Sequence, residues 1–179
     1  MLFIPGFIIS ILTFPGVIIH ELGHYIFCRI RKVPVYEVKF FQINLNTAGY
    51  VIHKEPEDFA SALLISIGPL LVNTILCLIV ASPVAVPFYL FGERNMLIYF
   101  YLWLGISIGM HSFPSTQDAD NLWERAKIEV KNKNILAIIS MPLCVLIFIA
   151  NLLKIVWFDA LYAFAVSILL PQFVVMHIM

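Results

Sequence analysis

Long apolar runs separated by short polar segments make up most of this chain. A helix needs about 20 apolar residues to cross a bilayer, because lipid offers no hydrogen-bond partner to an open backbone. Runs that meet or approach this length predict five membrane-spanning helices, at residues 2–28, 59–81, 96–111, 135–158 and 160–178. We therefore expect an all-α polytopic membrane protein.

Three further segments have a pattern of their own. Residues 84–91 are apolar but short, and polar residues follow them at 92–95, so we expect an interfacial or re-entrant segment there. Residues 35–53 are rich in Val, Ile, Tyr and Phe and hold a turn-like stretch at 46–49, which predicts a small membrane-associated β-hairpin. Residues 118–132 begin with an aspartate, as is typical of a surface helix.

The composition supports a membrane protein and excludes several other classes. Hydrophobic residues make up 61% of the 179 positions, charged residues make up 12%, and the mean hydropathy is +0.95. Soluble domains are about 45–50% apolar and about 25% charged. The 11 basic and 11 acidic side chains cancel, so no global field attracts a polyanion. We expect neither a soluble domain, nor a disordered chain, nor a nucleic-acid binder.

Most of the basic residues lie in two polar segments. Nine of the eleven fall between the first and second runs or between the third and fourth: Arg29, Arg31, Lys32, Lys39, Lys54, Arg125, Lys127, Lys131 and Lys133. The positive-inside rule makes both segments cytoplasmic, which puts the N-terminus outside and the C-terminus inside. On this map Glu93 and Asp159 lie on the outer side, away from any site near the cytoplasmic edge.

We expect the first run to stay in the mature protein. No basic segment precedes it and no small-residue cleavage site ends it, so it does not have the form of a signal peptide. The short loops and the lack of a leader indicate a prokaryotic inner membrane as the location.

The first run contains a cluster of ionisable residues in the pattern HExxH. His20 and His24 are four positions apart and share one face of a helix, so both imidazoles can bind one metal ion. Glu21 is then placed to take a proton from water at that metal. Ionisable groups are expensive inside an apolar run and mark functional sites. The pattern therefore predicts a metal site of the hydrolytic kind.

A catalytic zinc ion needs a third protein ligand and keeps one position for water. Asp118 and Asp120 follow the polar stretch 111–117 at the end of the third run, where Pro114 breaks the helix and frees the backbone. Asp118 is the expected third ligand and Asp120 the alternative. Asp118 also has a purely structural interpretation, because an aspartate at this point can simply start the surface helix.

These elements resemble the site-2 protease family of intramembrane zinc metalloproteases. In that family HExxH lies within one span, and a later, Pro-containing segment supplies an Asp ligand; residues 111–118 match that segment, with His111 where Asn is usual. Gly68-Pro69-Leu70-Leu71-Val72-Asn73 resembles an element of the family's middle core helix. The resemblance implies that Asn73 lines the active site and binds the substrate, with His111 as a second candidate. Packing between helices is the alternative role for Asn73.

The expected function is that of a zinc-dependent intramembrane endopeptidase. His20, His24 and Asp118 would hold Zn²⁺ and Glu21 would act as general base, on a transmembrane protein substrate within the lipid bilayer. The strands at 35–53 would capture an unwound substrate segment by strand addition. The resemblance covers residues 1–125, the metalloprotease core, whereas residues 126–179 form two C-terminal spans without a family motif.

Two other functions are open to this sequence. One is a non-catalytic membrane protein that binds a metal or a partner helix and has no peptidase activity. The other is a membrane HExxH peptidase of the type that matures prenylated proteins, which needs a downstream Glu or a second His-bearing motif. The last two runs offer only Asp159 and His177 for that purpose.

Overall fold

The computed structural model describes residues 5–45 and 47–178 of the chain. Residues 2–4 of the first apolar run and Asn46 of the expected turn lie outside this part. The elements in chain order are α1 Gly6–Leu12, α2 Phe14–Ile30, β1 Val35–Lys39, β2 Tyr50–His53, α3 Phe59–Tyr89, α4 Met96–Met110, α5 Thr116–Lys131, α6 Ile135–Leu153, a 3₁₀ turn Lys154–Val156, α7 Phe158–Phe164, a π-helical segment Ala165–Leu169 and α8 Leu170–Ile178. The protein is therefore mostly helical, as the apolar runs predict.

The structure contains fewer membrane-spanning helices than the five predicted. In its described part three helices are long and apolar enough to cross a membrane, namely Phe59–Tyr89, Ile135–Val156 and Phe158–His177, and a fourth is added if α1 and α2 count as one bent span. Helix α4 has 15 residues, or about 22 Å at 1.5 Å per residue, which is short of a bilayer core. Three apolar helices of spanning length mark an integral membrane protein.

The first predicted span is not one straight helix. Helices α1 and α2 meet at an angle of 92°, and Thr13 lies between them with non-helical dihedral angles. Pro15 in the first turn of α2 has no N–H to donate to the preceding turn, which favours a new helix start at this point. The Thr13 amide and hydroxyl both donate to the Ile9 carbonyl, at 2.8 and 2.6 Å, and so end α1. The prediction of a continuous helix over residues 2–28 is wrong.

Helix α3 is longer than predicted. It continues past residue 81 to Tyr89, so residues 84–91 are largely helical and form no separate re-entrant segment. Pro83 and Pro87 lie inside the helix, as apolar helices in membranes tolerate when neighbouring groups satisfy the freed carbonyls. The Tyr89 hydroxyl donates to the Ile168 carbonyl at 3.2 Å and joins this end of α3 to the π-helical segment Ala165–Leu169.

The predicted hairpin at 35–53 is confirmed. Strands β1 and β2 pair antiparallel, from Val35 opposite His53 to Lys39 opposite Tyr50, with an irregularity between Val35 and Glu37. The pair follows α2 directly and contacts it. The hairpin therefore lies beside the helix that carries the HExxH pattern.

Small residues bring α2 into backbone contact with its two neighbours. A Cβ on Gly23 would lie 2.9 Å from the Cα of Pro69 in α3, and one on Gly16 would lie 1.9 Å from the carbonyl oxygen of Ser107 in α4. Small residues permit such close approaches between membrane helices. Helix α2 is thus packed closely against the backbones of both α3 and α4.

The predicted surface helix is α5, and it pairs with α6 as an antiparallel helical hairpin. Leu122 and Ala126 of α5 pack with Ala137 and Cys144 of α6 and with Phe59 at the start of α3. Because the two helices run in opposite directions, the end of α6 returns to the point where α5 begins.

The return of α6 changes the predicted map of the acidic residues. Lys154 at the end of α6 donates to the carbonyl of Pro114 at 3.3 Å, and Phe158 of α7 packs against Phe113 with ring centroids 5.4 Å apart. Asp159 lies in the first turn of α7 and interacts with the charge of Lys154. The prediction that Asp159 lies remote from the polar break at 111–117 is therefore wrong.

Candidate metal centre

Helix α2 presents two histidines on one face. The Nε2 atoms of His20 and His24 are 3.3 Å apart, and the two residues are 9% and 6% exposed. A separation of four residues places side chains one turn apart on the same side of a helix. The HExxH spacing thus brings the two ring nitrogens to one point inside the protein.

Backbone carbonyls of two other helices fix the orientation of both rings. His20 Nδ1 lies 2.7 Å from the carbonyl oxygen of His111, and His24 Nδ1 lies 2.9 Å from that of Ile65. A carbonyl oxygen only accepts hydrogen bonds, so each Nδ1 carries a proton and donates it. Nε2 is then the nitrogen of each ring that can bind a metal, and the two Nε2 atoms lie 3.3 Å apart. This arrangement is common for histidines that bind metals.

The break after α4 brings Asp118 to the same point. The Ser115 side chain caps α5 by accepting from the Asp118 amide at 3.1 Å, and the Ser115 amide donates to Asp118 Oδ2 at 3.0 Å. The same Oδ2 atom lies 3.3 Å from His24 Nε2 and 3.9 Å from His20 Nε2. Asp118 therefore starts the surface helix and faces the histidines at once. Asp120 is exposed on α5 and does not belong to this group.

The three ligand atoms fit a metal ion. Among the residues described, His20, His24 and Asp118 form a group whose ligand atoms all lie within 4.8 Å of one another. Bonds of about 2.0–2.1 Å in a tetrahedral zinc site separate neighbouring ligands by about 3.3–3.4 Å, against 3.3, 3.3 and 3.9 Å here. A proton shared between two of these ligand atoms would satisfy only one of the three contacts among them. A cation at their centre would satisfy all three contacts. The group is able to bind a metal ion.

The charge state of Asp118 suits it to this role. Burial raises the pKa of the carboxyl group, but the charge and the hydrogen bonds of His24 and His20, when those rings are protonated, lower it by more. The pKa of Asp118 is therefore well below its usual value, and the group remains a carboxylate at neutral pH.

Glu21 lies beside the group and beneath the β-hairpin. Its side chain is 9% exposed and interacts electrostatically with His20, His24 and Asp118. A Cβ on Gly49, just before β2, would lie 2.7 Å from Glu21 Cγ. Gly49, in the loop between β1 and β2, therefore approaches the Glu21 side chain at a distance that leaves no room for a Cβ.

Asn73 and His111 lie close to the histidines, but their contacts join helices. Asn73 is fully buried, and its Nδ2 lies 3.1–3.2 Å from the carbonyl oxygens of Gly16, Ile108 and His111. The His111 ring contacts the Thr13 hydroxyl through Nε2 at 2.8 Å. These contacts match the packing role considered for Asn73, and substrate binding by either residue stays a prediction.

A groove of about 580 Å³ leads to the carboxylate of Asp118. Its walls come from β2, from the first turns of α3 and from α5, and they combine apolar and polar side chains. The lining residues include Val51, Ile52, His53, Ile65, Ser66, Gln117, Asn121, Leu122 and Arg125. Of the residues at the candidate metal centre, Asp118 lines this groove.

Sequence reasoning missed three partners of the site. The carbonyls of Ile65 and His111 orient the rings, and no sequence signal identifies a backbone atom supplied by a distant helix. The third partner is Lys154, which contacts the break at Pro114. The sequence did contain a signal for this residue, because a lysine within an apolar run is itself a functional candidate.

Comparison with protein-family models, with curated proteins and with solved structures finds no match. The fold and the site by themselves define a helical integral membrane protein in which buried His20 and His24 and half-buried Asp118 form a group able to bind a metal ion.

Proposed function

We propose that this protein is a zinc-dependent intramembrane endopeptidase of the site-2 protease type, which hydrolyses peptide bonds in or near transmembrane segments of membrane proteins. The observation that carries the proposal is the convergence of His20 Nε2, His24 Nε2 and Asp118 Oδ2 next to the buried Glu21. Two imidazoles and one carboxylate leave a tetrahedral zinc ion one position for water, as hydrolysis requires.

His20, His24 and Asp118 would hold the ion. A zinc ion held there would lower the pKa of a water and polarise the scissile carbonyl. Glu21 accepts a proton from the attacking water and delivers it to the amine nitrogen as the C–N bond breaks.

The groove suits an extended peptide. A helical substrate has its carbonyls hydrogen-bonded within the helix, so it must unwind before water can attack one of them. Val51, Ile52 and His53 of β2 form one wall of the groove, and a strand edge binds an extended segment through main-chain hydrogen bonds. The unwound segment would lie along β2 and reach the metal centre at Asp118.

The site would face the cytoplasm of a prokaryotic cell, in the inner membrane. Support comes from the basic residues around it, since Arg29 and Arg31 end α2 and Arg125 lines the groove. Basic segments stay on the cytoplasmic side of inner membranes.

Metal analysis of purified variants tests the ligand set. We expect about one zinc ion per chain in the wild type and in Asp120→Ala, and a loss of zinc in His24→Ala and Asp118→Ala. Asp118→Asn keeps an oxygen for the Ser115 hydrogen bonds, so it separates loss of a ligand from loss of the helix cap. Stoichiometric zinc in both Asp118 variants would rule out the proposed third ligand.

A further inference from the structure

Lys154 is a cation at the end of an apolar helix. It lies in the 3₁₀ turn that ends the 22-residue apolar segment Ile135–Val156, and its Nζ donates to the Pro114 carbonyl at 3.3 Å. Charged residues within apolar spans are rare and mark functional sites with a specific partner. Lys154 belongs to the C-terminal segment, which carries no part of the HExxH chemistry.

Two carboxylates attract the ammonium group without contacting it. Asp118 and Asp159 both act on Lys154 electrostatically, and neither forms an ion pair with it within 4.0 Å in the described part of the chain. Asp159 is 5% exposed and accepts a hydrogen bond from the Ala160 amide at 2.9 Å. In the described part of the chain, the hydrogen bond of the Lys154 ammonium group is therefore to the backbone of the break at Pro114.

The Pro114 carbonyl is a sensitive point in the site. Pro114 is fully buried and immediately precedes Ser115, the residue that caps α5 and binds Asp118. Phe113 packs against Phe158 of α7 with ring centroids 5.4 Å apart. The direction of the backbone at 113–115 therefore depends on groups from the C-terminal segment, and it sets where α5 begins.

We propose that Lys154 is a positioning residue of the metal centre, which holds the break at Pro114 so that Asp118 reaches the two imidazoles of α2. The inference rests on the proposed metal site. His20 and His24 come from one helix and Asp118 from another, so the ligand set forms only if the two helices keep their relative position. Ligand sets tolerate errors of about 0.5 Å, and an ion-dipole contact with the carbonyl resists such a shift. The C-terminal helices thereby become part of the site.

Two measurements on Lys154→Met and Lys154→Arg test this role, with Lys131→Met, at an exposed lysine, as the control. The first is hydrogen exchange of the metal-free protein at the amides of Ser115, Asp118 and Ala119, which are hydrogen-bonded in the capped turn. The second is Co²⁺ affinity from visible absorption. We expect Lys154→Met to speed exchange at least tenfold and to weaken Co²⁺ binding about tenfold. Lys154→Arg keeps the donor and the charge and should stay within about threefold of the wild type.

The outcomes separate the two proposals. Unchanged exchange in Lys154→Met overturns the positioning role, whether or not Co²⁺ affinity falls, and so does an equal loss in Lys154→Arg. If Lys154→Met does not fold, Lys154→Gln is measured in its place and should show the same two changes. Failure of the wild type to bind Co²⁺ overturns the proposed function, while the exchange data still decide whether Lys154 holds the break.

Discussion

At the scale of single residues, the site is defined by where protons and lone pairs lie. The carbonyls of His111 and Ile65 hold the Nδ1 protons, which leaves the Nε2 atoms of His20 and His24 facing Asp118. The HExxH spacing and the proline break allowed all three side chains to be predicted from the sequence. The orienting carbonyls could not be predicted, because they depend on how α3 and α4 pack against α2.

Asn73 gives a first test at this scale. Replacement by alanine removes the hydrogen bonds to the carbonyls of Gly16, Ile108 and His111, and each lost hydrogen bond costs about 0.5–1.5 kcal/mol. We expect Asn73→Ala to lower the thermal unfolding temperature in detergent by several degrees, and Asn132→Ala, at an exposed position, to leave it unchanged. An unchanged unfolding temperature together with reduced hydrolysis would instead assign Asn73 to the substrate.

At the scale of secondary-structure elements, glycines set the distances that the chemistry needs. The bend at Thr13, the close approach at Gly23 and the loop over Glu21 all depend on contacts between elements distant in sequence. The apolar pattern predicts helices and a hairpin but contains no information on such contacts. For the same reason it predicts neither the bend in the first run nor the unbroken course of α3 through Pro83.

Gly23→Ala tests the contact between α2 and α3. The added Cβ would lie 2.9 Å from the Cα of Pro69, a backbone atom that cannot yield without moving a helix. We expect a loss of about 1–3 kcal/mol in stability and weaker metal binding, because His24 moves away from the Ile65 carbonyl. Gly6→Ala is the matched control, since nothing lies within 4 Å of its added Cβ. Equal metal affinity in the two variants would contradict the role given to this contact.

Gly49→Ala tests the hairpin loop. Its Cβ would lie 2.7 Å from Glu21 Cγ and 2.9 Å from the Phe40 carbonyl oxygen, so either the loop or the carboxylate must move. Small misplacements of a catalytic group cost up to about 100-fold in rate. We expect zinc content to be unchanged and kcat to fall at least about tenfold, as measured on any substrate that the wild type cleaves. A kcat equal to that of the wild type would show that the loop does not position Glu21.

At the scale of the whole molecule, the metal would join two parts of the protein. The histidines belong to α2, which is packed between α3 and α4, whereas Asp118 belongs to the hairpin of α5 and α6. Hydropathy and charge predicted an integral membrane protein with a surface helix. Hydropathy and charge did not predict that the end of α6 contacts the break at Pro114. The composition of an apolar helix does not indicate which of its two ends lies near the site.

Removal of the metal should therefore weaken the association of α2 with the hairpin of α5 and α6 and lower the stability of the protein. A ligand that binds only the folded state stabilises it in proportion to the logarithm of its concentration. We expect a chelator to lower the unfolding temperature of the wild type and zinc to restore it. The same treatment of Asp118→Ala should change nothing, and a chelator effect of equal size there would show that the metal lies elsewhere.

The most direct test of the central claim is the appearance of new N-termini in membrane proteins. Wild type and Glu21→Gln, matched for zinc content, are reconstituted with extracted membrane proteins of the expression host, and new N-termini are identified by mass spectrometry. We expect cleavage sites in or beside transmembrane segments with the wild type, and their absence with Glu21→Gln or a chelator. Identical sets of N-termini for the two proteins would contradict peptidase activity at this centre and leave a metal-binding membrane protein.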